Sequence, residues 1–310
     1  MSESCADSET TGLAAERTPE TGTAKAASDW KARVLRLVLI AAFFVCGLLV
    51  FVLGIDYHTH FATNTSGLYK VGLCAALLAA TVALKRSERL RPYWRIAFAF
   101  FVASVPNVLT WYLGPLRGWL LNLFRLDLGT PQGITVGKLW DVLLKVVPIL
   151  VLVKLSGDGL DTLYLKKGDL RWGMTIGLLA AGNLLTTAIV VATSRNVDLG
   201  AIVPSVPWWF LFALGNAFME ELWCRGLLLK RFEPFIGTRA SVWVTSLVFA
   251  LMHAFASYVT SPAEAVVIAV LTFTLGFAWA LLMQKTDSIW GSVLFHLAAD
   301  LYIFIGLGGF

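Results

Sequence analysis

Residues 34–54 read VLRLVLIAAFFVCGLLVFVLG, a stretch whose only charge is Arg36, close to its start. A helix of that length rises 1.5 Å per residue and so covers about 30 Å, the hydrocarbon thickness of a bilayer. The pattern recurs along the chain, near residues 68–84, 95–113, 138–155, 173–193, 207–229, 241–257, 264–283 and 289–307. Nine transmembrane helices in an all-α, polytopic membrane protein are therefore expected. The second, fourth and seventh runs are short, and are expected to tilt differently or end early.

Composition agrees. Hydrophobic types make up 57% of the 310 residues and charged types 15%, with 12 Trp and 20 Phe. The mean hydropathy is +0.73. Ordinary soluble domains are less apolar and carry about 25% charge, so soluble, fibrous and disordered classes are excluded.

The charge between the runs alternates. Lys31, Arg33 and Arg36 precede the first run, and the loop near Asp56 to Gly67 holds no Lys or Arg. Lys85, Arg86, Arg89, Arg91 and Arg95 come next, whereas the long loop 114–137 holds only Arg117 and Arg125. Lys166, Lys167 and Arg171 follow, then Arg195 alone, then Lys230, Arg231 and Arg239, an uncharged 258–263 loop, and Lys285. Basic residues collect on the cytosolic side, which predicts a cytosolic N-terminus and an external C-terminus. The net charge of +5 serves this orientation, and no nucleic-acid partner is expected.

Residues 1–30 are expected to form a disordered cytosolic tail. Glu3, Asp7, Glu9, Glu16, Glu20 and Asp29 outweigh Arg17 and Lys25 there, and no apolar core of a signal peptide is present. Residues 31–200 would form transmembrane helices without a recognised motif, and 201–310 a motif-bearing core. Cys5, Cys46, Cys74 and Cys224 show no paired spacing, so neither a disulfide framework nor a thiolate metal site is implied.

Ionisable residues within a span cost roughly 2.5–3.5 kcal/mol each on insertion scales, so they need a partner or a task. They concentrate in the sixth run as Glu220, Glu221 and Arg225, one turn after the polar Asn216, in the seventh as His253 after Phe249, and in the ninth as His296 and Asp300. Glu221 and Arg225 are four apart and face each other, whereas Glu220 lies about 100° round the helix. Phe249 shares a face with His253, and His296 with Asp300. Counted from the cytosolic ends, His296 lies about 10 Å deep, Glu220 about 14 Å, Asp300 about 16 Å and His253 about 18 Å. Three helices thus bring polar groups to one slab of the membrane.

These motifs, Glu-Glu-x-x-x-Arg, Phe-x-x-x-His and His-x-x-x-Asp, resemble those of the CPBP family of intramembrane proteases. That family is also called Abi or CAAX-protease-like, and it includes the prenyl-protein endopeptidase Rce1. The resemblance covers roughly residues 205–305. It implies hydrolysis of a peptide bond in a membrane-tethered protein or peptide, with Glu220 as base. His253 and His296 would hold the water or polarise the carbonyl. Asp300, where many members carry Asn, would help form the oxyanion site or, if ionised, orient His296. Glu221, Arg225, Phe249 and Asn216 would support these groups. The family is described both as metal-free and as metal-dependent. The metal-free form is the first expectation here, and a zinc ion held by Glu220, His253 and His296 is the alternative.

Two other readings keep the same residues: a non-catalytic scaffold or maturation partner, and a proton-coupled transporter using Glu220, His253 and His296 as a relay. A bacterial inner membrane is the first expected location and the endoplasmic reticulum the second. His58 and His60 read as incidental to an external loop, and Asp141 and Lys145 as an i,i+4 pair that neutralises itself. Trp119, Trp208 and Trp209 read as anchors at the membrane interface.

Overall fold

The computed structural model describes residues 22–55, 63–256 and 259–306, whose regular structure is entirely helical. Helix α1 (Gly22–Gly47) continues as a π-helical turn over Leu48–Val52. It is followed by α2 (Thr63–Arg86), α3 (Trp94–Leu113), the short α4 (Leu116–Leu123) and α5 (Pro131–Leu155). Then come α6 (Leu170–Ser194), the one-turn α7 (Leu199–Ile202), α8 (Val206–Glu220), a second π-helical turn over Glu221–Gly226, and α9 (Leu229–Ile236). Helices α10 (Thr238–Ala254), α11 (Pro262–Thr286) and α12 (Trp290–Gly306) close the described chain.

Each apolar stretch of the sequence is occupied by a long helix. Among the described residues, six segments are long and apolar enough to cross a membrane: Trp30–Val52, Thr65–Arg86, Arg91–Leu113, Leu170–Ser194, Leu199–Ile236 and Pro262–Thr286. Trp290–Gly306 is apolar but shorter. Helix α10 has 17 residues, and α5 carries Lys138, Asp141, Lys145 and Lys154.

Local sequence sets the helix ends. The Thr130 hydroxyl accepts from the Gly133 N–H and Pro131 opens α5, a favourable start because its missing N–H would have had no partner. At α11 the Ser261 hydroxyl accepts from the Glu264 N–H, while the Glu264 carboxylate accepts from Thr260. Helix α11 ends at Asp287, in the left-handed region at φ 49°.

Helix α12 packs most extensively on α6, whose buried face carries Gly173, Gly177, Ala181, Ala188 and Ala192. Small residues let two membrane helices approach closely. The approach is tight enough that a Cβ on Gly291 would lie 2.4 Å from the Gly173 carbonyl oxygen. Helix α8 lies against α5 and α12, and α10 against α11, so the motif-bearing helices face one interior.

Four expectations are corrected or bounded. The solvated tail was expected to reach residue 30, but α1 already begins at Gly22, where Ala24, Ala26 and Ala27 are strong helix formers. Residues 1–21, and the loop bearing His58 and His60, lie outside the described residues. Asp141 does not pair with Lys145. Arg117 of α4 approaches its carboxylate to 3.9 Å, while the Lys145 ammonium lies 5.2 Å from the centre of the Trp223 ring. Trp209 is buried, its ring stacked on Phe304 at 4.3 Å, because α12 covers that face; Trp119 is exposed as an interfacial anchor would be.

Candidate active site

The Glu-Glu-x-x-x-Arg motif does not continue α8 as an ordinary α-helix. Over Glu221–Gly226 the winding widens, and the Leu227 N–H reaches back five residues to the Leu222 carbonyl at 3.0 Å. Such π turns recur at functional sites. This one sends neighbouring carboxylates to different partners: Glu220 to the two histidines, Glu221 to Arg225 and one histidine.

Glu221 is fully buried. Its Oε1 accepts from Arg225 Nη1 at 2.6 Å and from His296 Nδ1 at 2.8 Å. Arg225, equally buried, donates through Nε to the Gly276 carbonyl at 3.2 Å. Its guanidinium lies 4.1 Å from the centre of the Phe249 ring. A Cβ at position 276 would stand 2.7 Å from Arg225 Nη2, so glycine admits the guanidinium. Phe249, read from sequence as support for His253, therefore supports the cation as well.

The two imidazoles are oriented by what their Nδ1 atoms touch. His253 Nδ1 lies 2.9 Å from the Phe249 carbonyl oxygen. A carbonyl only accepts, so Nδ1 carries the hydrogen and Nε2 of the neutral ring presents a lone pair. That Nε2 is 3.9 Å from Glu220 Oε2. His296 Nδ1 donates to Glu221, which turns its Nε2 to within 3.7 Å of both Glu220 Oε2 and Asp300 Oδ1. Trp279 covers the His296 ring, with centroids 3.8 Å apart and planes 10° from parallel. Glu220 Oε2 itself is buried and has no hydrogen-bond partner among the described residues.

Asp300 is held from the other side. Lys138 Nζ donates to Asn216 Oδ1 at 2.9 Å, and Asn216 Nδ2 donates to Asp300 Oδ2 at 3.0 Å. An ammonium cannot accept, so the amide must turn its oxygen to Lys138 and its NH2 to Asp300. The chain of donors fixes Asp300 as an acceptor, with Oδ1 left facing His296.

All eight residues singled out from the sequence thus meet in one network: Asn216, Glu220, Glu221, Arg225, Phe249, His253, His296 and Asp300. Sequence reading missed Lys138, Gly276 and Trp279. Lys138 had a signal, as a charge inside the fourth apolar run. A glycine and a tryptophan in a long apolar helix had none.

Glu220, His253 and His296 offer the ligand chemistry of a zinc site. Glu220 Oε2 stands 3.9 Å from His253 Nε2 and 3.7 Å from His296 Nε2, and among the described residues no group of three or more His, Cys, Asp or Glu meets the arrangement of a metal site.

This polar centre, within a helical membrane bundle, lies in the part of the chain that matches a known family. Residues 202–302 match the family model described as type II CAAX prenyl endopeptidase Rce1-like, the family whose motifs the sequence resembles. The matched segment includes Glu220, His253, His296 and Asp300 but not Lys138. No curated protein and no solved structure matches the chain.

Proposed function

We propose that the chain is an intramembrane endopeptidase that hydrolyses a peptide bond of a membrane-tethered protein or peptide with water activated by Glu220. The observation that carries this reading is the buried, unpartnered Glu220 Oε2, with the Nε2 atoms of His253 and His296 converging on it at 3.9 and 3.7 Å. These separations exceed a direct hydrogen bond and suit groups that share one bridging molecule. The family match supports the same chemistry.

In this mechanism the two histidines differ. His253, bound through Nδ1 to a carbonyl, accepts a hydrogen bond from the water at Nε2. His296, with carboxylates at both nitrogens, works as the imidazolium and donates from Nε2 to the substrate carbonyl oxygen. Glu220 takes a proton as the water oxygen bonds to the carbonyl carbon, and the oxyanion rests on His296. Glu220 then passes that proton to the amide nitrogen as the C–N bond breaks, leaving an acid and an amine. Asp300 accepts from Asn216 and so is a poor oxyanion donor; it orients His296. The step is proposed in its metal-free form, with zinc held by Glu220, His253 and His296 as the alternative. The alternating loop charges favour nine crossings with the N-terminus in the cytosol; a bacterial inner membrane is the first location proposed and the endoplasmic reticulum the second.

The test is purified protein in lipid nanodiscs against a panel of membrane-tethered peptides, with and without a chelator. Wild type is expected to cleave equally in both conditions. Glu220→Gln, His253→Ala and His296→Ala should each lose about 10²–10⁴-fold in turnover while eluting as folded protein. Persistent cleavage by folded variants would overturn the assignment, and chelator-sensitive cleavage would overturn the metal-free step.

A further inference from the structure

Lys145 is a buried cation in the middle of α5 that the mechanism does not use. The acid four residues before it, Asp141, is turned toward Arg117 instead. Among the described residues no carboxylate comes within ion-pair distance of Lys145, and its contact is with the face of Trp223. Trp223 sits three residues after Glu220, within the π turn. An ionised group at that depth without a direct ion pair is costly, and the cost is relieved when a ligand supplies one.

The space for such a ligand adjoins it. A cavity of about 700 Å³ runs between α3, α4 and α5 and is lined by Asn107, Thr110, Trp111, Arg117, Asp141 and Lys145. That volume is in the range of small-ligand sites. Asn107 is committed to the Val50 carbonyl, Thr110 to its own helix, and Asp141 faces Arg117, so Lys145 is the charge left for a ligand. Lys145 lies about 21 Å along α5 from its start at Pro131, beyond the reach of a lipid headgroup at the surface. An extended peptide covers that distance in about six residues.

We propose that this cavity is a substrate subsite in which Lys145 binds a carboxylate carried by the peptide. The carboxylate is either the chain terminus or an acidic side chain. The proposal rests on the endopeptidase reading for its place in the reaction, but its test needs no cleavage.

Fluorophore-labelled apolar hexapeptides would be titrated by anisotropy into the full chain in nanodiscs. One ends in a free carboxylate, one in an amide, and one ends in an amide but carries a Glu side chain at its last position. Wild type is expected to bind at least one of the two carboxylate peptides tenfold or more tighter than the neutral one, and whichever is preferred identifies the source. Lys145→Met should erase the preference while leaving the neutral peptide unchanged, and Lys145→Arg should restore it in part. Equal binding of all three peptides, no binding, or a preference that survives in folded Lys145→Met would overturn the subsite. Charge-dependent binding by a protein that cleaves none of the membrane-tethered peptides would leave the subsite standing and remove the endopeptidase reading.

Discussion

The indole of Trp279 lies flat on the imidazole of His296, its ring centroid 3.8 Å away. Helix α11 contributes no titratable group to the centre, yet Trp279 covers one face of this ring while Phe249 meets it edge-on at 6.2 Å. Aromatic contacts of this kind are worth about 0.5–1.5 kcal/mol beyond the area they bury. Trp279→Leu is therefore expected to lower turnover about threefold to tenfold with little change in KM, because the ring that holds the oxyanion loosens. Trp279→Phe should keep most of the activity. Steady-state cleavage of one tethered peptide by the three proteins checks this, and unchanged turnover in Trp279→Leu would remove the positioning role.

Glu221 and Arg225 are both fully buried, so breaking their contact leaves a charge stranded. Glu221→Gln is expected to destabilise the protein by about 3–5 kcal/mol, read as a lower unfolding temperature in nanodiscs. The double variant Glu221→Gln, Arg225→Gln should recover part of that loss, since neither charge then remains. It should stay inactive, because His296 Nδ1 has lost its carboxylate. Additive losses in the double variant would show that the pair does not act as a unit.

Much of this centre was legible in the sequence, because helical spacing alone places Glu221 against Arg225 and His296 beside Asp300. Intramembrane charge marked the same residues, since an ionisable group in hydrocarbon needs a reason to be there. Contacts between helices distant in sequence were not legible. No periodicity reveals that Gly276 makes room for Arg225, that Trp279 stacks on His296, or that Arg117 draws Asp141 away from Lys145. The π turn was hidden as well. Its residues read as ordinary helix, and the widening is visible only in the five-residue reach from Leu227 to Leu222.

The donor chain from Lys138 through Asn216 makes a separate prediction. Lys138→Met removes the group that fixes the amide's orientation, so Asp300 is no longer held as an acceptor facing His296. Turnover should fall about tenfold, equivalent to about 1.4 kcal/mol, and the pH–rate profile should move, while Lys138→Arg retains activity. In an Asp300→Asn background the same Lys138→Met change should have little further effect. A full loss in that background would mean that Lys138 acts by some route other than Asp300.

The end of α11 supplies a pH-dependent contribution to stability. Asp287 leaves the helix in a left-handed conformation and its carboxylate meets Lys166 and, at 2.6 Å, Lys230. Burial alone would raise the carboxyl's pKa, but hydrogen bonds from Lys166 and Lys230, with their charges, outweigh it and hold it below its ordinary value. A carboxyl whose pKa is depressed by folding stabilises the folded state above its unfolded value, near 3.9, and that stability fades as pH falls through the lower, folded value. Asp287→Asn keeps a residue that tolerates positive φ and removes only the charge. The site is partly open to solvent, so the effect is modest, about 0.2–1 kcal/mol. Wild type should therefore unfold about 1–2 °C above Asp287→Asn at pH 7 and lose that margin progressively as pH falls below the unfolded value of about 3.9. A margin independent of pH would mean that the contact stabilises through helix-end geometry rather than charge.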